Sequence, residues 1–95
     1  MEILKELQAW YEAQCNGEWE HQYGVTIDSL DNPGWWVKID LVETTLEEKL
    51  FASIKKEFSE TNWIQCYVED KKFNGAGDPS KLETILRIFL EWSKQ

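Results

Sequence analysis

The chain has 95 residues, 42% hydrophobic and 29% charged, with 18 acids, 10 bases and a formal net charge of −8. That length makes a single domain, residues 1–95, with a real but modest core. The charge repels phosphates and speaks against direct nucleic-acid binding. No apolar run reaches membrane-spanning length, and the charged, amphipathic opening segment is not a signal peptide.

Residues 2–14 read as a helix, because Ile3, Leu4, Leu7, Trp10 and Tyr11 recur at steps of three and four. Asn16-Gly17 is expected to end it. Residues 18–41 read as strand, turn, strand. Tyr23, Val25 and Ile27 alternate with Gly24, Thr26 and Asp28, and beyond the turn Trp35, Val37, Ile39 and Leu41 alternate with Trp36, Lys38 and Asp40. Between them, Pro33 suits the second position of a type II turn, and Gly34 suits the positive φ of the third.

Residues 44–58 fit two patterns. Thr45 and Glu48 resemble a capping box, and Leu46, Leu50, Ile54 and Phe58 fall four apart. Alternation of Ala52, Ile54, Lys56 and Phe58 favours a turn or helical piece at 44–49 and then a strand near 51–58. That strand is expected to pair with 63–69, where Ile64, Cys66 and Val68 share a face. Asp70 to Gly77 reads as a loop anchored by Phe73, and Asp78-Pro79 as the start of a last helix reaching residue 93. Leu82, Ile85, Leu86, Phe89, Leu90 and Trp92 make its apolar stripe. The expected class is α+β: an antiparallel sheet of about four strands flanked by an N-terminal and a C-terminal helix.

Charge is distributed unevenly along the chain. Residues 1–47 hold 10 acids and 2 bases, and the remainder holds 8 of each. No Lys or Arg lies between Lys5 and Lys38, a stretch that holds Trp10, Trp19, Trp35 and Trp36. One-sided charge with aromatics suits a grip on a basic partner. The plain alternative is that the acids confer solubility and the tryptophans fill the core. Trp35 and Trp36 are strand neighbours and must point to opposite faces. One can lie under the helices, leaving the other on the second face as an interface anchor. The candidate partner-binding residues are therefore Glu18, Trp19, Glu20, His21, Asp28, Asp31 and Trp36.

Catalysis would have to start at His21, the sole histidine, with Glu18, Glu20, Asp28 and Asp31 as neighbouring acids. No nucleophile elbow accompanies it, so a loop-pinning or interface histidine is the favoured reading and no catalytic residue is assigned. Cys15 and Cys66 belong to no CxxC pair, and together with one histidine and scattered acids they give no metal-ligand spacing. Gly75-Ala76-Gly77 lacks the Lys-Ser/Thr of a phosphate loop, and Asp78 would repel an anion there. No metal or cofactor is expected. The cysteines are expected to be free thiols in a cytoplasmic protein.

Several segments carry a family resemblance. They are Trp19-Glu20-His21-x-Tyr23-Gly24-Val25-x-Ile27, Leu30-Asp31-Asn32-Pro33-Gly34-Trp35, Ile39-Asp40-Leu41, Asn62-Trp63-Ile64-x-Cys66 and Phe73-x-Gly75-x-Gly77, with the C-terminal Leu82, Ile85-Leu86, Phe89 and Trp92. In these segments the chain resembles the bacterial immunity protein 53 family over nearly its whole length. The resemblance implies a cytosolic antidote, encoded beside a polymorphic toxin, that binds its cognate toxin domain and blocks it. Many such toxins are basic nucleases, which an acidic inhibitor would approach quickly. The rival readings are a small enzyme or ligand-binding domain centred on His21, and a structural adaptor with no toxin.

Overall fold

The computed structural model describes residues 2–95. In chain order the elements are α1 (Ile3–Gln14), α2 (Trp19–Gln22), β1 (Val25–Leu30), β2 (Gly34–Asp40), β3 (Ile54–Ser59), β4 (Asn62–Glu69), β5 (Lys72–Gly77) and α3 (Leu82–Ser93). The five strands form one antiparallel sheet in the order β1-β2-β5-β4-β3, one strand more than expected.

Both long helices form as their periodicity predicts, and α1 packs on α3, which lies across β2 and β5. The core is built from Val37, Ile39, Phe73, Ile64 and Cys66 of the sheet and from Ile85, Leu86, Phe89, Leu90 and Trp92 of α3. Burial pushes the Cys66 thiol up to about 12, so it stays protonated. Both cysteines are free thiols. No described helix is long and apolar enough to cross a membrane.

Four local expectations are corrected. Residues 19–22 are helical, not strand, because the Asn16 side chain accepts the backbone N–H groups of Glu18 and Trp19, each at 2.9 Å. Trp19 is then drawn inward, and its indole N–H donates to the Val42 carbonyl at 2.8 Å. Gly34 does not adopt a positive φ. It pairs with Leu30 inside the ladder, so it does not serve as the third residue of a type II turn; the Asn32–Pro33 peptide is cis. Gly34 is needed for a close approach instead: a Cβ there would lie 2.4 Å from the Gly77 carbonyl oxygen.

The third correction is Asp70 to Gly77, which holds the central strand β5 and not a loop. Asp70 and Lys71 turn the β4–β5 hairpin with φ of 53° and 58°. Gly75 weakens strand propensity, but a Cβ at this position would meet Ile85 Cγ2 at 2.4 Å, so glycine lets α3 sit directly on the sheet. The fourth concerns caps. Thr44 replaces Thr45: its hydroxyl donates to the Leu41 carbonyl at 2.7 Å and accepts the Leu46 N–H at 3.1 Å, while Glu47 accepts the Glu43 N–H. This segment is turns without a helix, and β3 follows it from Ile54, paired with β4 as expected.

Asp78 does not cap α3 directly, since the helix begins at Leu82. It organises the turn before the helix. Its buried carboxylate accepts the Trp63 N–H at 2.9 Å, the Ser80 N–H at 2.8 Å and the Ser80 hydroxyl at 2.6 Å, and pairs with Lys81 Nζ at 2.6 Å. The Lys81 ammonium first, and the Ser80 hydroxyl next, hold the carboxyl well below the usual carboxylate range. A carboxyl depressed on folding stabilises fully above its unfolded pKa of about 4, and that stabilisation fades as pH falls through the folded value. The stability gap between wild type and Asp78→Asn should therefore be widest at neutral pH and shrink in urea melts run below about pH 4. A gap independent of pH would refute this.

Candidate partner-binding surface

One sheet face is covered by the helices and the other is open. Strand alternation decides which residues reach the open side. The register sets Asp28 opposite Trp36, Trp36 opposite Ala76, and Ala76 opposite Gln65. In the adjacent row Lys38 faces Thr26 on one side and Asn74 on the other, and Asn74 faces Tyr67. Trp36 is 36% exposed on β2, one strand in from the β1 edge of this surface. Trp63 reaches across it: its Cζ2 would lie 3.4 Å from a Cβ on Gly34, two strands away. Trp35 takes the opposite side, as strand geometry requires, and its indole N–H donates to the Pro79 carbonyl at 3.0 Å.

The sequence reading found Trp36 but not Trp63 or Tyr67, half-buried residues on the same open face. The signal was available. Assigning Ile64, Cys66 and Val68 to the core leaves Trp63, Gln65, Tyr67 and Glu69 for the other side.

The acidic candidates divide into two groups. Glu18, Glu20 and His21 sit at α2, before β1 begins, whereas Asp31 lies in the turn after β1 ends. A six-residue strand separates them by roughly 20 Å. Asp28 lies between, beside Trp36. Glu18, Asp28 and Asp31 are exposed and take part in no ion pair among the described residues, and the same holds for Glu12 on α1. Elsewhere in the acidic half, Glu6 pairs with Lys94, and Glu47 with Lys71 at 3.6 Å.

Two candidates have structural duties. Trp19 is 2% exposed, stacked edge-on against Trp10 and Tyr11, and presents no surface to a partner in this conformation. The Glu20 carboxylate accepts the backbone N–H groups of Asn16 and Gly17 at 2.9 Å. Hydrogen bonding from its own backbone N–H, and then from these two, keeps its carboxyl below the ordinary pKa against a small cost of desolvation, with a further contribution from His21.

His21 is exposed, and its imidazole has no hydrogen-bond partner among the described residues. It does not pin the loop; Glu20 and Asn16 do. The described residues contain no group of three or more His, Cys, Asp or Glu side chains placed to hold a metal ion. What the arrangement offers is an aromatic sheet face beside an acidic margin, suited to contact and electrostatic steering.

No curated protein and no solved structure matches the chain. A family model does: the one described as Immunity protein 53 matches residues 4–94. The match runs from α1 through α3 and takes in every element of the fold described above, so the chain belongs to the Immunity protein 53 family.

Proposed function

We propose that this chain exercises the toxin-neutralising role its family suggests by binding a cognate toxin domain in the cytoplasm and occluding the toxin's active site, without catalysis of its own. The observation that carries the reading is Trp36 on the open sheet face, directly opposite Asp28, at a margin where Asp28 and Asp31 have no ion-pair partner among the described residues. An exposed indole beside desolvatable carboxylates is the composition of an interface anchor for a basic surface. A basic toxin that acts on nucleic acid fits best, because the acidic margin can stand where the phosphates of its substrate would lie.

Occlusion is stoichiometric. Titrating the toxin domain with this protein should reduce toxin activity linearly to an end point near one protein per toxin. His21→Ala should reach the same end point, since the exposed imidazole makes no hydrogen bond among the described residues. Trp36→Ala should keep its fold and lose about 2 kcal/mol or more of affinity. Progressive destruction of the toxin by a sub-stoichiometric amount would establish an enzyme and overturn the proposal.

A further inference from the structure

The two edges of the sheet differ in a way that names a docking mode. An edge strand presents unpaired backbone N–H and C=O groups, and proteins usually guard such edges with lysines, inward-pointing charges or bulges. β3 has all three guards. It carries Lys55 and Lys56, it breaks register between Glu57 and Ser59, and Lys56 stands opposite Ile64, on the face the helices cover. β1 has none of them. Its register with β2 runs unbroken from Val25 to Leu30, and Asp28 is its single charged residue.

The free groups on β1 can be assigned. The Asp40 N–H donates to the Gly24 carbonyl at 3.1 Å, which makes that pair a hydrogen-bonded one. Antiparallel pairs alternate, so Thr26, Asp28 and Leu30 bond to β2, while Val25, Ile27 and Ser29 turn their N–H and C=O groups toward the open edge. On the helix side of this edge, a groove of about 310 Å³ runs between α1 and β1, lined by Leu7, Gln8, Tyr11, Gly24 and Val25. Ile27 stands on the same side and is 38% exposed. On the other side lies Asp28, with Asp31 at the far end of the strand.

We infer that β1 is a strand-addition site, and that its occupant is an extended basic segment of the toxin domain, about five or six residues long, which joins the sheet as a sixth strand. The inference rests on the toxin-binding reading above and specifies how that binding is made. Successive side chains of an added strand point to opposite faces. One set would be apolar and enter the groove beside Tyr11 and Val25; the other would be Lys or Arg and lie beside Asp28 and Asp31. Charge also selects against a second copy of this chain. Two β1 edges would bring like acids together on molecules that each carry −8. The β3 edge of another copy is bulged and bears the inward Lys56.

Residue-resolved amide exchange on the full-length protein, with and without its cognate toxin domain, tests the idea. The amides of Val25, Ile27 and Ser29 should exchange quickly in the free protein and become protected in the complex, while the β3 edge is unchanged. Ser29→Pro supplies the second arm. It removes an N–H that the fold does not use, and proline is tolerated on an edge strand at such a position. The variant should keep the wild-type thermal midpoint and lose toxin affinity by on the order of 100-fold.

If the wild type binds and neutralises the toxin but these amides stay unprotected, strand addition is wrong and the toxin-binding reading stands. If Ser29→Pro folds and binds as tightly as wild type, strand addition is likewise wrong. If the wild type does not bind the toxin at all, the functional reading itself fails. Protection of the β1 amides that rises with protein concentration in the absence of toxin would make a second copy the occupant and overturn the proposal.

Discussion

Replacing Phe89 with alanine should cost about 3–5 kcal/mol of folding stability. Phe89 is 0% exposed and sits where the two helices and the sheet meet. Its ring stands edge-on to Trp10 at 5.0 Å and tilted against Phe73 at 5.2 Å and Trp92 at 6.2 Å. Truncation would remove three aromatic contacts and leave a cavity bounded by elements that cannot all close in at once. Phe73 lies on the central strand, Trp10 is on α1, and Trp92 is fixed by its indole N–H donating to the Leu50 carbonyl at 2.8 Å.

A domain of this size has about 5–15 kcal/mol of stability in total. The variant should therefore populate the unfolded state and lose protective activity through its abundance, although Phe89 lies in the core and presents no surface to a partner. Equilibrium urea unfolding checks this. Leu50→Ala is the control: Leu50 is 93% exposed, and its loss should lie within about 0.5 kcal/mol of wild type. A Phe89→Ala loss below about 1 kcal/mol would mean that the helix layer re-packs around the gap.

The parts of the fold legible in the sequence are those where one residue's environment follows from its neighbours in the chain. The stripe Ile85, Leu86, Phe89 and Leu90 marks the buried side of α3, and Trp35 and Trp36 had to part to opposite faces. The parts that escaped were settled by distant partners. Phe73-Asn74-Gly75-Ala76-Gly77 has little strand propensity of its own. It becomes the central strand because β2 and β4 supply hydrogen bonds on both sides and α3 needs the missing Cβ at Gly75. The Trp19 turn became helical because Asn16 caps it and Val42, 23 positions onward, holds the indole.

The candidate surface divides in the same way. One-sided acidity is a property of composition and was visible. Closeness along the chain does not establish closeness in space, however, and β1 holds His21 and Asp31 well apart. Glu20 looked like any other surface acid, but its two oxygens are occupied by the Asn16 and Gly17 amides, which no residue count could show.

That distinction determines which charges to reverse in the last experiment. Glu18, Asp28 and Asp31 are exposed and without ion pairs among the described residues, so changing all three to lysine should leave the fold intact. Glu20 must be left alone, because its reversal would break the loop that sets α2 and would confuse a folding defect with a binding one. Each reversal changes the charge by two, and three reversals take the net charge from −8 to −2.

Steering by opposed fields raises association rates by roughly 10- to 1,000-fold. The triple variant should therefore bind a basic toxin at least about 10-fold more slowly at low salt. The Debye length shortens from about 30 Å at 0.01 M to about 8 Å at 0.15 M. Across that range the wild-type association rate should fall steeply, whereas the variant's should be nearly flat. Dissociation should change less than association, because rim charges act chiefly on the encounter. Stopped-flow association at the two ionic strengths separates these outcomes. Equal rates for the two proteins at low salt would place the toxin on a surface away from β1 and its turn.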